Sequence, residues 1–170
     1  MKDALKDAVD LIENYGGVIL TGVGKSFDIC QTAESSWHSF EISAWAMDPI
    51  KALHGDLGRL RKGKTVVIAL SNSGTTDEMR PVIEKIRKWG NPLVVLTMNA
   101  NSWMPGIANV ALIIPQTPEA DHEVTRAPST SALQMLQVLY IIELLIAERK
   151  DYTYAQFKEN HPGGAWASGN

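Results

Sequence analysis

"TVVIALSNSGTTDEM", residues 65–79, contains the reading that decides the fold. Its first six residues are continuously apolar and rich in β-branched side chains, the pattern of a strand covered on both faces of a sheet. "SNSGTT" then supplies hydroxyls, an amide and a glycine. Beyond it, Met79, Val82, Ile83 and Ile86 recur at helical spacing. Pro81 would cost a backbone hydrogen bond beyond the first turn, so the regular helix is expected either to start near Pro81 or to kink there. The segment is therefore a strand, a polar turn and a helix.

The same grammar repeats on either side. "VILTGVG" from Val18 predicts a buried strand running into glycines, followed by a helix through "SFDICQTAESSWHSF" from Ser26. Leu5, Ala8, Val9 and Ile12 give an amphipathic helix before it, closed by "YGG". "ISAWAM" from Ile42, "PLVVLTM" from Pro92 and "VALIIP" from Val110 predict further short strands. "DPIKALHGDLGRLRKGKT", with a proline and three glycines, reads as irregular. A long helix is expected from about Ser129 to Arg149, and a last short one over "TYAQFKEN". Strands alternating with helices predict an α/β three-layer sandwich with a mostly parallel sheet. No repeat or linker divides the 170 residues, so one domain is expected over 1–170.

With 16 Lys and Arg against 19 Asp and Glu, the chain has no general footprint for nucleic acid or anionic membranes. The apolar stretch "ALQMLQVLYIIELLIA" is interrupted by Gln134, Gln137 and Glu143 and reads as a buried helix. Cys30, the only cysteine, cannot close an intramolecular disulfide, and no secretion signal stands at the N-terminus. Both features suit a cytoplasmic protein.

In parallel sheets, ligands collect beyond the carboxyl ends of the strands, where helix N-termini favour anions. Ser71, Ser73, Thr75 and Thr76 can donate hydroxyl hydrogens there, and Gly74 lets the backbone approach a tetrahedral group. The turn lacks the lysine of a P-loop and the spaced glycines of a dinucleotide site, so one phosphate is its natural ligand. A helix cap with surplus serines is the structural alternative. "GVGKS" presents Lys25 and Ser26 at a second strand end. His54 in "LHGDLG" and His161 in "NHPGG" lie among loop-forming residues, whereas His38 and His122 read as structural or solvated. Glu78 and Glu119 are the carboxylates with plausible roles, against helix-dipole and solvated alternatives.

In order, "GVGKS", "HGDLG", "ALSNSGTTDE", "APSTSAL" and "NHPGG" resemble a sugar isomerase (SIS) domain, most closely that of arabinose 5-phosphate isomerases, over about Gly17 to Gly164. The resemblance implies a flavodoxin-like sheet and interconversion of D-arabinose 5-phosphate and D-ribulose 5-phosphate through an enediol. It implies phosphate binding by Ser26, Ser71, Ser73 and Thr76, with contacts from Asn72 and Gly74. It assigns Lys25, Glu78, Glu119, His54 and His161 to the reacting end, with no cofactor and no metal. It further implies a homotetramer whose sites are shared, so that a histidine arrives from a neighbouring chain. The subgroup carries "SNSGES" where this chain has "SNSGTT". The regulatory CBS pair that usually follows is not in this sequence, which implies either a stand-alone domain or part of a longer protein. The exchange needs one base for the carbon proton and one acid/base for the oxygens. His161 or Glu119 fits the first role, with His161 preferred, and His54 with Lys25 fits the second. The alternatives are a sugar phosphate sensor without chemistry, or an isomerase of another pentose or hexose phosphate.

Overall fold

Five strands lie side by side, all parallel, in the order β2-β1-β3-β4-β5. They are β1 (Val18–Gly22), β2 (Ala44–Met47), β3 (Val66–Leu70), β4 (Leu93–Thr97) and β5 (Val110–Ile113). The computed structural model describes residues 1–163; of the "NHPGG" stretch, Gly164 lies outside the described residues. The helices are α1 (Lys2–Tyr15), α2 (Lys25–His38), α3 (Pro49–Leu53), α4 (Arg80–Lys88), α5 (Trp103–Ile107), α6 (Thr130–Arg149) and α7 (Tyr154–Glu159). This is the flavodoxin-like order expected from the sequence. The segment 48–65 is less irregular than predicted, because Asp48 accepts from the backbone N–H groups of Ile50 and Lys51 and so caps the short α3. α5 had no sequence signal strong enough to predict it.

The alternation of side chains along each strand builds two cores. Val18, Leu20, Val66, Ile68, Leu70, Val94 and Leu96 face α1, α2 and α6. Ile19, Val67, Ala69, Leu93 and Val95 face the other layer, with Met79, Val82, Ile83 and Ile86 of the α4 region. Each fully buried Val, Leu or Ile contributes about 1.5–3 kcal/mol, which is why the strands carry apolar residues on both faces. Pro81 falls in the first turn of α4, where no helical hydrogen bond is lost.

α6 is 20 residues long with a mean hydropathy of 1.6, enough by length and composition to cross a membrane, a closer match to a span than its interrupted sequence suggested. It nevertheless packs in the core, burying Met135, Val138, Leu139, Ile142 and Ile146. Trp37 of α2 donates its indole N–H to the Leu139 carbonyl at 3.2 Å, and Ser36 donates to Glu143 Oε1 at 2.8 Å. Glu143 is 4 % exposed with Oε2 unpartnered among the described residues, and burial pushes its carboxyl up to about 7 against the lowering effect of Ser36.

Candidate functional site

The chain crosses from β1 out to β2 and returns to β3 on the opposite side of β1, so the sheet's topological switch lies between β1 and β3. Open α/β sheets receive ligands at the carboxyl ends beside such a switch. There, Ser26, Ser71, Asn72, Ser73, Thr76, Asn99 and Gln116 line a cleft of about 580 Å³. Hydroxyls from two separate strand ends thus meet in one place, as the sequence predicted. Among the described residues, no cationic or anionic side chain lines the cleft itself.

Packing at two glycines sets the geometry. A Cβ on Gly22 would come within 2.8 Å of the Ser26 Cβ, so only glycine lets α2 begin this close to the end of β1. Gly74 has φ +65°, and its Cβ would fall 1.9 Å from Ser102 Oγ. The sequence argued for Gly74 from the approach of a ligand; the structure shows instead that the 99–102 turn fills that space.

The loop is braced from beneath. Thr97, at the end of β4, donates to the Asn72 carbonyl at 3.1 Å and accepts from Asn99 N at 3.1 Å. Met98 N also donates to the Asn72 carbonyl, and Met104 N donates to that of Gly74. Ser71 Oγ accepts from Gly74 N at 3.0 Å and shares a 2.8 Å hydrogen bond with Thr76 Oγ1. Ser73 Oγ accepts from both the backbone N–H and the hydroxyl of Thr75. A hydroxyl has one hydrogen to give. Ser73 therefore keeps its hydrogen for the cleft, the Ser71–Thr76 pair keeps one of its two, and Ser26 keeps its own. No side chain caps the N-terminus of the 14-residue α2, which leaves its positive end facing the cleft. These neutral donors suit one tetrahedral anion.

The expected reacting-end residues are not gathered around this cleft within one chain. Lys25 borders an adjoining compartment of about 170 Å³, but its ammonium pairs with Asp28 at 3.3 Å on the surface. Glu78 is exposed on the 3-10 turn before α4, without a hydrogen-bond partner among the described residues. His54 is exposed where α3 ends, beyond the edge strand β2. Glu119 is engaged at the start of α6: its Oε2 accepts from Ser129 N at 2.8 Å, Ser129 Oγ at 3.2 Å and Ser131 N at 3.2 Å. The Ser131 and Ser129 hydrogen bonds, Ser131's hydroxyl first, outweigh desolvation and hold this carboxyl down at about 2. A carboxylate so stabilised caps a helix well and takes a proton poorly.

His161 lies at the far end of α2. Its Nδ1 is 2.7 Å from the Phe157 carbonyl and its Nε2 is 3.3 Å from Ser39 Oγ, while the ring stacks on Phe157. A carbonyl only accepts, so Nδ1 carries the hydrogen and the neutral ring's lone pair sits on Nε2. Ser39 follows the last residue of α2 and Ser26 stands in its first turn, a span of about 20 Å. His38, by contrast, is structural as expected, 2.8 Å from the Ala44 carbonyl.

Two cleft residues escaped the sequence reading: Asn99 and Gln116. Each follows the end of a buried strand by two or three residues. A search for polar side chains just past every strand end, rather than for known motifs, finds both.

A parallel sheet with a neutral, donor-rich cleft at its switch point defines a flavodoxin-like α/β domain that receives an anionic ligand. The chain belongs to the SIS domain family, whose model matches residues 11–143. It is homologous to arabinose 5-phosphate isomerases. It is 30% identical over 164 residues, 96% of the chain and 48% of the relative, to a probable arabinose 5-phosphate isomerase of Haemophilus influenzae. A putative phosphosugar isomerase of Bacteroides fragilis involved in capsule formation superposes with a TM-score of 0.89 at 26% identity, covering 96% of this chain and 88% of that one. An Escherichia coli CFT073 protein solved in complex with arabinose 5-phosphate superposes at 0.87 with 31% identity, covering 94% and 85%. The chain spans about half the length of the curated relatives it matches.

Proposed function

We propose that this chain is an aldose–ketose isomerase of a sugar phosphate, acting on D-arabinose 5-phosphate and D-ribulose 5-phosphate. The observation that carries the reading is the cleft in which Ser26 meets Ser71, Ser73 and Thr76. Its neutral hydroxyl, amide and helix-dipole donors match a phosphate monoester, and a relative 31% identical was solved with arabinose 5-phosphate bound. Asn72, Asn99 and Gln116 complete the binding set, with Gly74 shaping the loop.

In the proposed mechanism, a base removes the C2 proton of the open-chain aldose as electrons move onto the carbonyl oxygen, giving an enediol. The same proton is returned to C1 while the O2 proton is lost and O1 is protonated. His161 is the base and a neighbouring copy supplies it. Glu119 is too well stabilised as an anion to compete, and the lone pair on His161 Nε2 suits the task. His54 and Lys25 assist at the oxygens, with Glu78 completing the acidic set. No metal or organic cofactor is invoked.

Sharing of sites between copies of a homotetramer is supported by the apolar surface the chain leaves open. Leu133 and Leu144 on α6 are 70% and 55% exposed, and Ile50 and Leu53 on α3, which His54 follows, are 53% and 45% exposed. The free cysteine is buried, with its thiol pushed up by burial, in keeping with a cytoplasmic setting.

The test is incubation with pentose and hexose phosphates in EDTA, following ketose formation. Turnover of arabinose 5-phosphate alone is expected; turnover confined to a hexose phosphate would change the substrate, and none at all would end the isomerase reading. Mixing inactive His161→Ala with inactive Ser26→Ala protein should restore part of the activity, because some mixed sites are intact. A second reading, binding without chemistry, is favoured by one observation: no histidine lines the cleft among the described residues. Affinity without turnover would establish it.

A further inference from the structure

Six exposed cations crowd one edge of this acidic chain. Arg61, Lys62 and Lys64 stand in the turn before β3, and Lys85, Arg87 and Lys88 at the end of α4. Both segments are at the amino-terminal edge of the sheet, opposite the cleft. Apart from these six, the chain has 10 Lys and Arg against all 19 Asp and Glu. The rest of the chain is therefore strongly acidic.

The cluster is held together by buried chemistry. Asn91, fully buried, donates to the carbonyls of Arg61 at 3.0 Å and Thr65 at 2.8 Å, and accepts from Gly63 N at 3.3 Å. This ties the turn before β3 to the turn before β4. Trp89 lies between: Lys62 Nζ is 4.8 Å and Lys85 Nζ 5.6 Å from its ring centroid. A cation over an indole face is held in place, so two of the ammonium groups are positioned in advance. None of the six forms an ion pair among the described residues, although Glu84 is one helical turn from Lys88. Arg87 gives one hydrogen bond to Asn109 Oδ1 at 2.6 Å and keeps its other donors. Like charges brought together repel, and among the described residues no ion pair with a carboxylate relieves the repulsion.

We infer that this edge is a docking surface for a carboxylate-rich segment of a protein partner. Three features favour that occupant. The cations come from one tight turn and the adjoining end of α4, a compact cluster rather than a groove that follows a nucleic acid backbone. Trp89's ring is already engaged by lysines, so it offers no open face on which a base could stack. The exposed members are all charged, with no apolar side chain free to enter a bilayer. Two arginines in the set suit bidentate pairing with carboxylates.

The experiment measures anisotropy of a fluorescent oligo-glutamate peptide at low ionic strength against the purified protein. Binding is expected, weakening as salt shortens the Debye length. K62E/K64E/K88E should weaken it by about tenfold or more, since each reversal turns an attraction into a repulsion. K2E/K6E/K150E, with the same change in net charge, should retain it, and a K62Q/K64Q/K88Q variant should fall between. Isomerase activity should be equal in all of them, which also verifies folding. Equal loss in K2E/K6E/K150E, no binding by the unaltered protein, or tighter binding of oligothymidylate or phosphatidylserine vesicles than of the peptide would overturn the inference.

Discussion

Replacing Gly74 by Ala tests the packing that shapes the anion loop. A Cβ there would lie 1.9 Å from Ser102 Oγ, 2.8 Å from Ser102 Cβ and 3.0 Å from Thr97 Oγ1, on a backbone with φ +65°. Two costs add. The left-handed conformation costs a non-glycine residue about 1–2 kcal/mol. Forcing a methyl into filled space costs about 1–3 kcal/mol more. Gly74→Ala should therefore destabilise by about 2–5 kcal/mol and shift the loop away from Thr97, weakening sugar phosphate binding. Ser102→Gly alone removes the hydrogen bond from Ser102 Oγ to the Asn99 carbonyl (2.7 Å), a loss of about 1 kcal/mol. In the double variant the Ser102 obstruction is gone; the backbone cost, the lost bond and the tight 3.0 Å approach to Thr97 Oγ1 remain, so the total should be about 2–3 kcal/mol if Thr97 gives by a few tenths of an ångström. Urea unfolding of the four proteins at constant slope measures the coupling directly. A favourable coupling of about 1–3 kcal/mol is expected, together with partial recovery of affinity. Strict additivity would refute the close approach of the two turns.

Three further outcomes follow from the hydrogen-bond chemistry. Glu119's folded pKa, about 2, lies below its ordinary 4.5, so its contribution is present above pH 4.5 and lost as pH falls toward 2; after allowance for solvent screening, Glu119→Ala should cost about 1–2 kcal/mol at neutral pH in thermal or urea melts, with the difference vanishing near pH 2. Glu143 has the opposite sign: its folded pKa of about 7 lies above 4.5, so stability is fully retained below pH 4.5 and falls as pH rises through 7, by at most about 3 kcal/mol; Glu143→Gln should flatten that slope, and an unchanged slope would refute the role of this group. Asn99→Ala and Gln116→Ala should each weaken sugar phosphate binding about fivefold to tenfold by titration calorimetry, as expected for one lost hydrogen bond; Asn99→Ala should also lose about 1 kcal/mol of stability, because Asn99 Oδ1 accepts from Asn101 N at 3.1 Å.

Much of the architecture was legible in the chain. "TVVIAL", "VILTG" and "LVVLT" are apolar at nearly every position, a pattern that a strand covered on both faces satisfies, and the helices between them imply parallel pairing. Pro81 left a helix start or a kink open, and the structure takes the start, where a proline loses no helical hydrogen bond. The serines of the "SNSG" turn and Ser26 were also legible, since strand ends in such sheets converge at the switch point. α5 and the short α3 were less so, because five-residue helices depend on contacts with Met104 and with Asp48 more than on periodicity.

The local sequence determined which residues are hydroxyl-bearing, which strands are buried and where helices begin, because those follow from side-chain chemistry and spacing along a few turns of backbone. Tertiary structure decided the rest. That Glu119 caps α6, that His161 packs against Ser39 about 20 Å from Ser26, and that Gly74 yields to Ser102 all depend on segments distant in sequence coming into contact. No periodicity encodes such encounters, since they are fixed by the sheet order and by what each loop finds beside it.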